Sequence, residues 1–236
     1  MNKMNAFLKD NYDMKSFSHV PLTTQLPDIH TETIKGKRFY VTPEGNKYPS
    51  ITTVLSGRNS EGIVKWRKSV GNDVANQIMR QAASRGTAVH QLVEDYLNNE
   101  ELSRQDVLPT ALFTLLKPEL DNINNIRIQE GGLYSDYYGV AGRVDCIADY
   151  KGVLSVIDFK TSTKEKKEEW IENYFIQGSA YCEMYEELFD QPLDRVVILI
   201  VTEDGGIQTF TKSKDDYLPL LKTAIKKIKE KTETKN

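Results

Sequence analysis

Three residues carry the most chemistry in this sequence: Asp145, Asp158 and Lys160, within the string Gly139 to Ser162, GVAGRVDCIADYKGVLSVIDFKTS. Strand side chains alternate between faces, so Asp158 and Lys160 share a face while Phe159 points into the opposite layer. Asp158 closes the apolar run Val153, Leu154, Val156, Ile157, where a charge is costly unless something pairs with it. Asp145 stands on the preceding predicted strand, and a tight turn near Lys151-Gly152 lays the two strands side by side. Two carboxylates on adjacent strands with an ammonium beside them have the make-up of a divalent-cation site with a water-positioning group. Alone, Asp-x-Lys is an ordinary same-face ion pair and Asp145 a solvated strand residue. The pattern acquires meaning only from its company.

That company stands on two predicted helices. His90 and Glu94 are at i and i+4 and share one helical face. The string Arg85 to His90, RGTAVH, puts a glycine where the helix can approach a neighbour or ligand closely. Imidazole and carboxylate on one face can complete the coordination of a metal held mainly by the aspartates, although a lone histidine is more often a hydrogen-bonded core or surface residue. Gln177 and Tyr181, again at i and i+4, follow on the helix after the Asp-x-Lys strand.

The elements that must position these residues are legible from periodicity. Residues 1–35 show no clear period and several turn formers, and are expected to be an irregular arm. Arg38 to Thr42 and Ser50 to Leu55 are β-like runs about a hairpin turn at Pro43-Glu44-Gly45-Asn46. Helical spacing runs from Gly62 to about Arg80, from Gln81 to Asn98 and from Pro109 to about Asn124. Strands are predicted at Arg127 to Tyr134, Tyr138 to Asp149 and Val153 to Lys160, followed by a helix from about Lys167 to Phe189 that Pro192 stops. Arg195 to Val201, RVVILIV, is a continuous apolar run, as in a buried central strand. A short strand at Ile207 to Thr211 and a lysine-rich amphipathic helix from about Asp215 close the chain. This order implies a mixed α/β sandwich with a central sheet, one domain over residues 36–236 behind the arm at 1–35.

Composition narrows the class. With 236 residues, 39% hydrophobic and 28% charged, the chain has material for a real core. No apolar run reaches the length of a membrane span. The N-terminus lacks an apolar signal region, and Asp10 and Asp13 precede the first arginine, Arg38, so neither a secretory signal nor a transit peptide is expected. The setting expected is cytoplasmic. Two cysteines, Cys146 and Cys182, exclude a disulfide framework and a four-cysteine iron–sulfur cluster within the chain. A net charge of −3 counts mildly against nucleic acid, but carboxylates gathered around cations make the net figure misleading. Cations also come in groups: Arg58, Lys65, Arg67 and Lys68; Lys164, Lys166 and Lys167; and the lysines after Leu221. Each group alone reads as a solvated face.

Taken together, the chain resembles the PD-(D/E)XK nuclease superfamily, in the branch of RecB-type nuclease domains and the mitochondrial genome maintenance exonuclease with its phage relatives. The resemblance rests on His90 in GTAVH, Asp145 in GRVD, Asp158 and Lys160 in DFKTS, Gln177 to Tyr181 in QGSAY, and the opening segment KYPSITTVL. It implies a restriction-endonuclease-like α/β core, a central mixed sheet flanked by helices, with an N-terminal β-hairpin and a helical insertion. It further implies that Asp145 and Asp158 ligate Mg²⁺ or Mn²⁺, one ion or two, with the Phe159 carbonyl and His90. Lys160 would position the attacking water, and Glu94 would reach a second ion or orient His90. Gln177 and Tyr181 would touch the scissile phosphate or the outer shell of the metal. Arg85, Arg143, Thr161 and Ser162 would contact neighbouring phosphates, although Thr161 and Ser162 equally suit capping the turn after the strand.

The activity implied is a metal-dependent exonuclease acting on single-stranded or end-frayed DNA in a bacterial or phage-infected cell. The helices before the sheet would form an arch or wall, with Trp66, Tyr96, Trp170 and Tyr174 as candidate stacking aromatics. No helicase motif is present, so a helicase, recombinase or single-strand-binding partner would be a separate protein. Two alternatives stay open: a sequence- or structure-specific endonuclease, and a non-catalytic nucleic-acid-binding module on the same fold.

Overall fold

The run Arg195 to Val201 behaves as its composition demands. In the computed structural model, which describes residues 15–58 and 60–233, it is a strand packed on both faces. Val196, Ile198 and Ile200 point into one apolar layer, and Val197, Leu199 and Val201 into the other. Each fully buried aliphatic side chain of this kind contributes about 1.5–3 kcal/mol relative to exposure, so this strand anchors the sandwich.

In chain order the elements are β1 (His30–Ile34), β2 (Lys37–Val41), β3 (Lys47–Pro49), α1 (Ile51–Leu55), α2 (Ser60–Val70), α3 (Asn72–Leu97) and α4 (Val107–Leu120). Then come β4 (Ile123–Ser135), β5 (Val140–Tyr150), β6 (Val153–Ser162), α5 (Glu172–Phe189), β7 (Arg195–Thr202), β8 (Ile207–Ser213) and α6 (Leu218–Glu233). The main sheet has five strands in the order β4-β5-β6-β7-β8. Only β6 and β7 are parallel, joined through α5; the other pairs are antiparallel. Helices α5 and α6 cover one face, α3 and α4 the other. The mixed sheet flanked by helices is the architecture expected.

Three local expectations are corrected. Ser50 to Leu55 is not a strand: the Ser50 hydroxyl caps a short helix by accepting from the Thr53 amide at 3.1 Å, and Ile51, Val54 and Leu55 are buried at helical spacing. Capping and burial override the β-branched composition here. The helix expected over 62–80 is interrupted at Gly71, whose φ of 86° favours glycine. The chain then runs unbroken as α3 for 26 residues, with no boundary near Arg80.

The third correction concerns the arm, of which residues 1–14 lie outside the described residues. Its end is a strand, β1, paired with β2 around Lys35-Gly36 (His30 opposite Val41). Upstream, Ser18 and Val20 exchange backbone hydrogen bonds with Ile126, both at 2.8 Å, so the arm is laid along β4. The turn at Pro43 to Asn46 forms as expected but leads into β3. The small sheet β1-β2-β3 is fastened to the large one by a Ser50–Ala141 bridge, by the Tyr48 hydroxyl donating to Asp136 at 2.6 Å, and by Tyr40 packed against Tyr134 and Ala141.

Candidate active site

The ladder between β5 and β6 is complete from Tyr150–Val153 to Cys146–Ile157 and then stops. One step beyond, the strands fork, and the Phe159 amide donates at 2.9 Å to Oδ2 of Asp145 instead of to a partner strand. A side chain thus replaces the missing rung. Asp145 and Asp158 flank the fork, and Lys160 lies two residues further along β6.

Asp158 is the anomaly. It is only 2% exposed, and neither carboxylate oxygen receives a hydrogen bond among the described residues. Lys160 Nζ forms an ion pair with Oδ2. Burial raises the Asp158 pKa against the opposing pull of Lys160. Burial also works against the Lys160 ammonium, but Asp158 and Asp145 outweigh it and hold its pKa up. The Tyr174 ring lies 5.2 Å from Nζ and covers the lysine.

Across the sheet stands a group that sequence reasoning missed. Gln129 is opposite Cys146 and Gly131 opposite Val144, so the register sets Glu130 against Asp145. Glu130 has φ 46°, rare for a residue with a side chain, and it precedes two glycines, Gly131 and Gly132. A Cβ at Gly131 would fall 2.2 Å from the Ile128 side chain, and one at Gly132 2.5 Å from that of Ile29. The Ile128 and Ile29 side chains fill the space that a Cβ at either glycine would need. Glu130 Oε1 lies 3.4 Å from His90 Nδ1, while His90 Nε2 lies 2.8 Å from the Phe159 carbonyl and 3.8 Å from Asp145 Oδ2. One ligand atom from each of His90, Glu130 and Asp145 falls within 4.8 Å of the others. Burial opposes the imidazolium of His90, but Glu130 and Asp145 prevail and raise its pKa to about 9.

The signal for Glu130 was a carboxylate followed by two glycines inside a β run. Like charges directly opposite on adjacent strands are destabilising. The register lines up Glu130, Asp145 and Asp158 across three strands, an arrangement suited to a bound cation. The buried carboxylate of Asp158, paired with Lys160, and the His90–Glu130–Asp145 group both fit a divalent ion, with the Phe159 carbonyl beside them.

Gln177 and Tyr181 come to the same place from α5. Two glycines permit it: a Cβ at Gly178 would fall 2.3 Å from Val196, and one at Gly142 would fall 2.7 Å from the Tyr181 ring. Helix α5 therefore sits hard against β7, and the tyrosine ring lies directly over β5. Gln177 Nε2 donates to the Tyr181 hydroxyl at 3.2 Å; burial pushes that phenol's pKa up, so it stays neutral. A cleft of about 410 Å³ is lined by Glu130, Gly142, Arg143, Asp145, Gln177 and Tyr181, and on its other wall by residues of the small sheet and α1.

The remaining expected residues are placed differently. The Glu94 carboxylate makes no hydrogen bond or ion pair among the described residues; the partner of His90 Nδ1 is Glu130. Burial and the nearby Glu130 charge raise the Glu94 pKa. Arg85 is ion-paired to Glu203, with Nε 3.5 Å from Thr161 Oγ1. The Ser162 hydroxyl donates to the Lys164 carbonyl at 2.7 Å and caps the turn. Arg143 is exposed in the cleft. Among the aromatics, Tyr96 is buried, its hydroxyl donating to Asp121 at 2.5 Å, and so is closed to stacking; Trp170 is exposed.

No family model matches the chain. It is 26% identical over 165 residues to the human mitochondrial genome maintenance exonuclease 1, covering 65% of this chain and 43% of that protein. The mouse protein of the same name is 26% identical over 131 residues, covering 51% of this chain and 39% of that one. The chain thus spans less than half the length of these curated relatives. A crystal structure of a candidate exonuclease from Eubacterium rectale superposes with a TM-score of 0.45 at 15% identity, covering 61% of this chain and 63% of that one; so distant a likeness carries no argument. No described helix is long and apolar enough to cross a membrane. The fork residues in order on a mixed sheet, with these exonucleases as weak relatives by sequence, support a PD-(D/E)XK-like nuclease branch.

Proposed function

We propose that this protein is a divalent-metal-dependent deoxyribonuclease that degrades DNA from single-stranded ends. The observation that carries the proposal is the buried carboxylate of Asp158, without a hydrogen bond and beside Lys160, in the fork that also gathers His90, Glu130 and Asp145. Three carboxylates, Glu130, Asp145 and Asp158, crowd there around the Lys160 ammonium, an excess of negative charge that a divalent cation relieves. Asp145, Asp158, His90, Glu130 and the Phe159 carbonyl would hold Mg²⁺ or Mn²⁺. The chemistry such an ion supplies is Lewis acidity and charge neutralisation at the phosphate.

The chain's own residues supply the rest. Lys160 orients the water whose oxygen attacks phosphorus and offsets the charge that grows on the phosphoryl oxygens. Tyr174 covers its ammonium and limits competing solvent. Gln177 and Tyr181, both neutral donors on the cleft wall, hold the phosphate in line without adding charge. His90 spans Glu130 and the Phe159 carbonyl, keeping the metal-facing groups in register. The exonuclease names of the relatives support cutting from ends.

The test is degradation of end-labelled linear single strands, circular single strands and duplex DNA with Mg²⁺ or Mn²⁺, an EDTA control, and Lys160→Ala alongside. Loss of linear single strands alone, abolished by EDTA and by the variant, is the expected result. Cutting of circles would replace the exonuclease by an endonuclease. Binding without cutting in any metal would leave the binding module.

A further inference from the structure

The small sheet β1-β2-β3 carries no residue of the fork, yet it forms the second wall of the same cleft. Thr31, Arg38 and Tyr40 from this sheet, and Ser50 and Thr52 at the start of α1, face Asp145, Gln177 and Tyr181 across about 410 Å³. Arg38 is exposed, and its guanidinium is held from two sides: Nη2 donates to Thr52 Oγ1 at 3.1 Å, and the group lies 5.8 Å from the Tyr40 ring centre. Thr52 Oγ1 is itself 3.0 Å from the Ser50 hydroxyl. The wall is not a loose flap, because Ser50 bridges to Ala141 one residue before Gly142, and the Ser50 amide donates to the Arg38 carbonyl at 3.0 Å.

Charge gives this wall its meaning. Arg38 makes no ion pair among the described residues, although Glu130 and Asp145 line the same cleft, and Arg143 makes none either. Two guanidiniums therefore face a polar cleft without a carboxylate closing on them, and the Arg38 fork is pre-set by a hydroxyl and an aromatic ring. Planar guanidinium so arranged suits bidentate recognition of phosphate. An Arg serving only to neutralise the acidic row would sit on it.

Resting on the nuclease reading, we propose that Arg38, with Thr52 and Arg143, forms a phosphate subsite for the nucleotide adjoining the scissile phosphate on the side of the small sheet. The N-terminal sheet is thereby a part of the substrate cleft. The phosphate is either the internal diester of that nucleotide or a terminal monoester at the strand end.

The experiment measures both binding and turnover. Affinity for a fluorescent linear single strand is followed by anisotropy against salt in the presence of EDTA, and kcat and KM are measured with Mn²⁺. Wild type is compared with Arg38→Gln, Arg38→Lys and Thr52→Val, each first checked for an unchanged melting temperature. The expected result for Arg38→Gln is affinity weakened roughly tenfold or more, KM raised in step, and kcat retained. The slope of log affinity against log salt falls by about 0.7 for the lost phosphate contact. Arg38→Lys keeps the slope but recovers only part of the affinity, because the two-pronged contact is gone. Thr52→Val gives a smaller loss of the same kind.

Substrates ending in 5′-phosphate, 3′-phosphate or hydroxyl separate the two sources. An end dependence present in wild type and absent in Arg38→Gln marks the terminal monoester, and indifference to the end with the Arg38 effect intact marks the internal diester. Unchanged affinity and salt slope in Arg38→Gln overturn the subsite while leaving the nuclease reading untouched. Binding by the wild type without cutting defeats the nuclease reading, and the anisotropy arm still decides the subsite. No binding in EDTA together with no cutting in Mn²⁺ by the wild type overturns both.

Discussion

Asp149 and Asp158 stand on neighbouring strands of one sheet, and the protein treats them in opposite ways. Asp149 accepts from Arg127 and from Asn125, both at 2.8 Å. Asp158 is more deeply buried and accepts no hydrogen bond. The first lies where the β5–β6 ladder is intact, the second where it has ended. A hydrogen-bonded acid stabilises a fold; a buried one held by the Lys160 ion pair without a hydrogen bond is less well compensated, and a cation can add to that pairing. On the proposed reading the first is a structural carboxylate and the second a metal ligand.

The largest expected effect falls at the fork. Lys160→Ala lowers kcat about 10²- to 10³-fold with DNA affinity retained, measured by single-turnover cleavage and anisotropy; equal losses in both would remove Lys160 from the transition state. At the ladder end, Asp149→Ala strands Arg127, whose side chain is 16% exposed. It should cost about 3 kcal/mol in denaturant unfolding, with cleavage per folded molecule unchanged. A fall in activity without loss of stability would reverse the comparison.

Metal response sharpens it further. Mn²⁺ at a hundredfold its Kd should stabilise the wild type by about 2.7 kcal/mol, and Asp149→Ala equally. Asp158→Asn and Glu130→Gln should lose most of that gain in a thermal melt followed by calorimetry. Smallest is Gly178→Ala, for which the added methyl would meet Val196 at 2.3 Å. Overpacking there costs about 1–3 kcal/mol and lifts Gln177 and Tyr181 off β5, so KM should rise as stability falls. A shift in neither would mean that α5 has room to spare.

The legible part of the site was what local spacing carries. Asp-x-Lys on a strand, and Gln177 with Tyr181 on a helix, need only the periods of 2 and 3.6 to share a face. Glu130 was invisible because its approach to His90 depends on the bend at Glu130-Gly131-Gly132 and on the β4–β5 register, neither of which is a local property. For Arg85 the resemblance implied a phosphate contact, and the tertiary structure adds an ion-pair partner that no local pattern contains, Glu203 on the turn after β7. Ser50 to Leu55 misled for a physical reason as well, since β-branched residues accept a helix once a cap and a buried face favour it.

The sequence by itself determined the sandwich and its central strand. Continuous apolar runs, amphipathic helices and turn residues encode burial, and burial dominates folding. It also determined that carboxylates and a lysine would meet at one strand end. Only the tertiary structure decided which charges remain unpaired. Pairing depends on distances of a few ångströms between segments far apart in the chain, as between Arg85 and Glu203, or Arg38 and the open cleft. Such distances are set by register, by the fork, and by the close approaches at Gly142 and Gly178, and no local pattern contains them.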